Sequence, residues 1–166
     1  GAHKTQSFTL QIGDPSTIAE LTGITTVADF RRRDIAAGGE GAPLAPAFHQ
    51  AYFATDGINR AIVNIGGIAN VSVLQGQKLL VGFDSGPGNT LMDQWSKRHL
   101  NEDFDRDGRW AASGTYCRES LEVLLADPYF DKSGPRSTGK ELFNPTWLAR
   151  TLPEAHTQNP QDIQAT

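Results

Sequence analysis

The chain has 166 residues, 38% apolar and 20% charged, with a formal net charge of −4. That balance describes a globular chain of one domain or two small ones and excludes a bulk nucleic-acid footprint. No apolar run nears the roughly 20 residues a membrane-spanning helix needs. No charged n-region followed by an apolar h-region is present, and the one cysteine, Cys117, excludes an intrachain disulfide and fits a reducing compartment, so a cytoplasmic location is expected.

Phe8 to Ile12 reads as a short strand, Asp14-Pro15 as a helix cap and first helical residue, and Gly23 as that helix's stop. Ile24 to Phe30 reads as a second, Thr/Val-rich strand, giving the strand, helix, strand opening of an α/β layer. Beyond it lies Asp-Phe-Arg-Arg-Arg-Asp-Ile-Ala-Ala-Gly-Gly-Glu-Gly-Ala-Pro-Leu (29–44), where three arginines, a carboxylate and a glycine-rich loop follow the expected strand end. Arginine forks bind phosphate or carboxylate oxygens in pairs, Asp34 can accept a proton beside them, and glycines let the backbone approach a ligand. Ligands in open α/β sheets gather beyond the carboxyl ends of strands. A solvated basic turn is the plain alternative.

Pro46 to Phe53 is an expected helix that Asp56-Gly57 ends. Arg60 to Asn64 then starts a strand that turns at Gly66-Gly67 and returns through Ile68 to Leu74. A second turn at Gln75-Gly76-Gln77 precedes the strand Lys78 to Phe83. Asp84-Ser85-Gly86-Pro87-Gly88-Asn89 leads into a helix whose Leu91, Met92, Trp95 and His99 share a face, best explained as core. Unpaired N–H groups and the positive end of the dipole at that helix start would attract a phosphate. Lys97, Arg98 and His99 suit its C-terminal end.

Three partial motifs are set aside. Gly86-x-Gly88-x-x-Leu91 has leucine where a dinucleotide fingerprint carries its packing glycine, and Pro87 removes a donor. Gly134 to Glu141 fits Gly-x-x-x-x-Gly-Lys but ends in Glu141 rather than a hydroxyl residue, and no buried strand precedes it, so a basic surface loop is expected instead of a Walker A loop. Asp103-x-Asp105-x-Asp107-Gly108 starts like a calcium loop, yet Gly114 stands where the bidentate glutamate belongs, which leaves an acidic connector. Arg118 to Ala126 reads as an amphipathic helix ending before Asp127-Pro128, and Asn159-Pro160 as a helix start close to the last residue. The abrupt ends suggest a piece of something longer.

Thr-Leu-Gln-Ile-Gly-Asp-Pro (9–15), the 29–44 stretch, Asn-Ile-Gly-Gly-Ile-Ala-Asn (64–70) and Phe-Asp-Ser-Gly-Pro-Gly-Asn (83–89) together resemble the anhydro-N-acetylmuramic acid kinases. Ser-Thr-Gly-Lys-Glu-Leu-Phe-Asn (137–144) and Asp-Ile-Gln-Ala-Thr (162–166) are similar to later stretches of the same family. The resemblance implies the sugar kinase, actin and Hsp70 superfamily, with RNase H-like α/β lobes closing around Mg-ATP and substrate. Residues 1–57 would belong to the N-terminal substrate lobe and 58–166 to the C-terminal nucleotide lobe. It further implies phosphorylation of 1,6-anhydro-N-acetylmuramic acid with hydrolytic opening of its ring, a step of cell-wall recycling, with ATP and Mg²⁺ as cofactors.

Carried over by motif, Asp34 would be the general base, kept ionised by nearby arginine charge. Arg33, Gly38, Gly39 and Gly41 would line the substrate side. Gly66, Gly67 and Asn70, with Gly86, Gly88 and Asn89, would face the nucleotide phosphates. Asp84 would approach the metal, although a strand-end carboxylate cap explains it nearly as well. His3 matches the family's Gly-x-His-Gly-Gln-Thr run only in part, since Lys4-Thr5-Gln6 follows it. The N-terminal Gly-Thr-Ser-Leu-Asp-Gly phosphate loop and the C-terminal glycine-rich adenosine motif of the family are absent, so weak ATP binding and little turnover are expected of this piece alone. The family suggests a homodimer. Two other readings stay open: a glycan-binding module without chemistry, and a glycoside hydrolase pairing Asp34 with Asp29 or Glu40.

Overall fold

Asp14 starts the first helix, α1 (Pro15–Thr22), as its sequence predicts. Its carboxylate accepts the N–H groups of Ser16 at 3.3 Å and Thr17 at 3.0 Å, and Gly23 closes the helix at φ 65°. The structure, a computed structural model, describes residues 8–152 and 159–166, so His3 lies outside the described residues.

Neither expected N-terminal strand forms. Residues 8–12 and 24–29 have no regular structure, and Phe30–Ala36 is a helix, α2, entered through Asp29 at φ 64°. The arginines therefore sit on a helix rather than in a loop. A strand persists only where neighbours take up its N–H and C=O groups. Among the described residues the sheet is confined to 59–87, which leaves Phe8 87% and Ile12 96% exposed. Arginine and alanine favour helix once pairing is unavailable.

The helix α3 (Ala45–Phe53) precedes three antiparallel strands in the order β1 (Asn59–Ile65), β2 (Ile68–Gln75) and β3 (Lys78–Pro87). The turns at Gly66-Gly67 and Gly76-Gln77 are the expected ones, whereas β3 continues past Phe83 to Pro87. Ala69 faces Gly86 while Asn70 faces Asp84, so Ser85 is an extra residue on β3, its hydroxyl donating to the Ala69 carbonyl at 3.1 Å. Such a bulge bends the strand locally and strengthens its twist. One face of the sheet carries α3, where buried His49 and Ser72 meet through Nδ1 and Oγ at 2.8 Å.

The core lies beyond the sheet, among α4 (Asn89–Leu100), α5 (Arg109–Ala112), α6 (Arg118–Leu125), α7 (Pro145–Thr151) and α8 (Pro160–Ala165). Trp95, Tyr129, Phe143, Trp147, Leu148, Leu152 and Ile163 form it. Both buried indoles find acceptors, as amphipathic aromatics require: Trp95 donates to the Pro160 carbonyl and Trp147 to Asp127, each at 2.8 Å. Leu91 and Trp95 take the expected core positions of α4, but Met92 stays 44% exposed.

His99 packs on the expected apolar face, which weakens its expected part as a cation at the helix end. It packs 4.1 Å from Trp95 and 6.1 Å from Trp110, centroid to centroid, and burial, then Arg98, hold its pKa below the ordinary value. It therefore favours the neutral imidazole rather than adding positive charge at the helix end. The acidic triplet is a connector, as expected. Asp103 pairs with Lys97, Asp107 with Arg109, and Asp105 accepts the N–H groups of Trp110 and Ala111 at 2.9 Å. Among the described residues no helix is long and apolar enough to cross a membrane.

Candidate functional site

Two groups of the expected residues assemble separately. In the first, Asp34 occupies the last turn of α2 and its Oδ2 accepts the Gly41 N–H at 2.7 Å, so the loop folds back over the carboxylate. The Asp34 carbonyl accepts the N–H of Gly39 at 2.9 Å. A Cβ on Gly39 would collide with the Asp34 carboxylate, so the close approach requires glycine there. Gly38 and Gly41, at φ 93° and 75°, bracket the fold-back. Arg33 is exposed on α2, and no arginine pairs with Asp34 among the described residues. Arg32 instead meets Asp29 at 3.4 Å, so the charged neighbour expected beside Asp34 is replaced by a backbone N–H. Arg31 and Arg32 line a cleft of about 320 Å³ with Leu10, Gln11, Asp29 and Leu44.

The second group surrounds the turn between β1 and β2. The Gly67 carbonyl accepts from Gly88 at 3.0 Å and Thr90 at 3.3 Å, and the Gly66 carbonyl accepts from Asn89 at 2.9 Å. The first N–H groups of α4 are thus not the free donors the sequence suggests, because the hairpin caps them. The hairpin's own glycines differ from these. Among the described residues neither Gly66 nor Gly67 donates its N–H to a turn, loop or cap partner. A Cβ on Gly88 would collide with the Gly66 carbonyl, and one on Gly67 would lie 2.6 Å from Thr90 Oγ1, 3.8 Å from Lys140 Cε and 3.9 Å from Asn89 Oδ1. Gly86 is buried against Phe130.

Asp84 is buried at the bulge and clamps the 136–138 segment. Its Oδ2 accepts from Ser137 Oγ at 3.1 Å and the Thr138 N–H at 3.0 Å, while its carbonyl accepts the Tyr129 hydroxyl at 2.7 Å and Arg136 Nε at 3.2 Å. Burial, then the nearby Asp84, push the Tyr129 phenol above its usual pKa. Asn70, opposite Asp84 in the ladder, keeps its Oδ1 buried without a partner, as does Thr138 Oγ1.

A family model described as anhydro-N-acetylmuramic acid kinase matches residues 2–166. The chain belongs to the anhydro-N-acetylmuramic acid kinase family. It is 57% identical to the protein of that name from Variovorax paradoxus (strain S110), over 96% of this chain and 44% of the relative. Relatives of the same name from Shewanella sp. (strain MR-4) and Coxiella burnetii (strain Dugway 5J108-111) are 56% and 57% identical, again over 96% of this chain and 43% of theirs. The chain spans less than half the length of the curated relatives it matches.

Within this kinase family chain, the stretches 29–44, 64–70 and 83–89 are the ones that build the two groups. Two residues of the second group, Thr90 and Lys140, escape a reading by motif. Lys140 lies within the family-like stretch 137–144, but far along the chain from the hairpin, so spacing does not connect it to Gly67. As a metal site the residues fit poorly: Asp84 Oδ2 already serves two donors, and among the described residues no three His, Cys, Asp or Glu side chains converge.

Proposed function

We propose that the whole protein is an ATP-dependent sugar kinase that converts 1,6-anhydro-N-acetylmuramic acid to N-acetylmuramic acid 6-phosphate. The observation that carries this is family membership over residues 2–166, with the family-like stretches folded into one carboxylate site and one glycine-lined site. In this reading a water attacks the anomeric carbon and Asp34 takes its proton. The bond from that carbon to the bridging oxygen breaks, and the freed oxygen at C6 attacks the γ-phosphorus of ATP as ADP leaves. The Gly41 N–H anchors Oδ2 and thereby orients the carboxylate toward the water. Gly38, Gly39 and Gly41 shape the sugar side with Arg33. Gly66 and Gly67 offer N–H donors to the phosphates, supported from below by Gly88 and Asn89.

RNase H-like, actin-like lobes are the architecture this reading implies, with a boundary near residue 57 and α3, which packs on the sheet, as the element joining them. Magnesium would come with the nucleotide, held chiefly by phosphate oxygens and water as is common for this ion; no step here depends on an Asp84 ligand. Cell-wall recycling and a cytoplasmic location belong to the same reading.

The test is mass spectrometry of products after incubating the full-length protein with Mg-ATP and 1,6-anhydro-N-acetylmuramic acid, with Asp34→Asn and ATP-free controls. A ring-opened 6-phosphate that needs both ATP and Asp34 is expected. Ring opening without ATP would instead mean a hydrolase, and sugar binding with no product a glycan-binding module.

A further inference from the structure

We propose that Lys140 and Thr90 complete the nucleotide phosphate cradle over Gly67, Lys140 as the cation on the phosphate oxygens and Thr90 as a hydroxyl donor. This rests on the kinase reading above. Three segments distant in sequence bring polar groups to one small space: Thr90 Oγ1, Asn89 Oδ1 and the Lys140 stem all lie within 3.9 Å of the point a Gly67 Cβ would occupy. Thr90 is only 5% exposed, and its Oγ1 is the nearest side-chain atom to that point, at 2.6 Å. A hydroxyl that close to Gly67 is placed to donate to an oxygen bound over the glycine.

Charge points the same way. The N–H groups of Gly88, Asn89 and Thr90 are taken by hairpin carbonyls, so the start of α4 cannot by itself hold a polyphosphate. Lys140 forms no ion pair among the described residues. Its backbone is nevertheless well anchored. The Lys140 carbonyl accepts from Asn144 Nδ2 at 3.2 Å, Phe143 donates to the Gly139 carbonyl at 3.1 Å, and Thr138 is tied to Asp84. An ammonium without an ion pair, carried on an anchored backbone beside two glycine N–H groups that serve no turn, loop or cap bond among the described residues, is a phosphate-binding arrangement, since lysine acts on phosphate as a point charge.

The test uses the full-length protein with Lys140→Met, Lys140→Arg and Thr90→Val. ATP affinity is measured by calorimetry without sugar, and steady-state constants are measured for each substrate. Lys140→Met is expected to weaken ATP binding and lower kcat/KM for ATP by about 10- to 100-fold, the range of a lost charge-assisted hydrogen bond. The KM for the sugar and the melting temperature should stay near wild type, Lys140→Arg should restore most of the loss, and Thr90→Val should show a smaller loss of the same kind. ATP affinity within twofold of wild type in Lys140→Met, or a loss that falls equally on sugar and ATP, would overturn the proposal. Lys140-dependent ATP binding in a protein that makes no sugar phosphate would uphold the cradle while refuting the kinase reading.

Discussion

Asp34, the base of the proposed reaction, has one oxygen bonded by the Gly41 N–H and its turn closed by Gly39. Asp34→Asn keeps the shape and removes the proton acceptor, so kcat should fall by about 10²- to 10⁴-fold, the range of a lost general base, with ATP affinity unchanged. Single-turnover and calorimetric measurements on the full-length protein separate the two. Gly67 supports a complementary substitution. In Gly67→Ala the new methyl would press on Thr90 Oγ1, 2.6 Å from its ideal position, and partly fill the cradle. ATP binding should weaken while the sugar KM holds, and equal loss of both would count against a phosphate site there.

Helix α7 shows how single contacts hold an element in place. Asn144 caps it through the Trp147 N–H at 3.0 Å, and Asp127 receives the Trp147 indole at 2.8 Å and the Tyr129 N–H at 2.9 Å. The Tyr129 N–H, then the indole, pull the Asp127 pKa below its ordinary value. A carboxylate depressed on folding adds stability that is fully present above its unfolded pKa of about 3.9 and is lost as pH falls through the lower folded value. Denaturant unfolding of wild type against Asp127→Asn should therefore show a gap that is constant near neutrality and shrinks in acid. Near neutrality the gap should be about 1–2 kcal/mol, the scale of a charge-assisted hydrogen bond. A gap that widens in acid would reverse the assigned sign.

The whole molecule leaves many large apolar side chains exposed among the described residues, Phe8, Ile12 and Leu21 with them. Val63 and Ile65 on the edge strand β1 are 56% and 70% exposed, and a groove of about 590 Å³ runs between that edge and the helices, bordered by Leu91, Leu124 and Ile163. An unpaired apolar edge invites association. The 166-residue chain on its own is expected to bind the dye ANS and to melt below the full-length protein. A cooperative, dye-silent unfolding at the full-length temperature would show that the groove needs no cover.

Local chemistry was legible wherever one short segment decides the outcome. Asp14-Pro15 and Asn159-Pro160 start helices, Gly76 turns a hairpin, and the acidic triplet caps and pairs within its own connector, because each involves partners a few residues away. The candidate site residues were also legible as glycine-rich stretches around Asp34 and Gly66-Gly67, since close backbone approach leaves a compositional mark. What the tertiary structure decided is everything that needs a distant partner. Residues 8–12 alternate as a strand does and 24–29 are rich in strand-favouring Ile, Thr and Val, but neither has a ladder to join among the described residues. His99 packs against Trp95, the donors of α4 are capped by a hairpin more than twenty residues earlier, and Lys140 reaches Gly67 from a loop held by Asp84. Propensity and caps act over a single turn, whereas hydrogen-bond satisfaction and burial are settled only when segments meet.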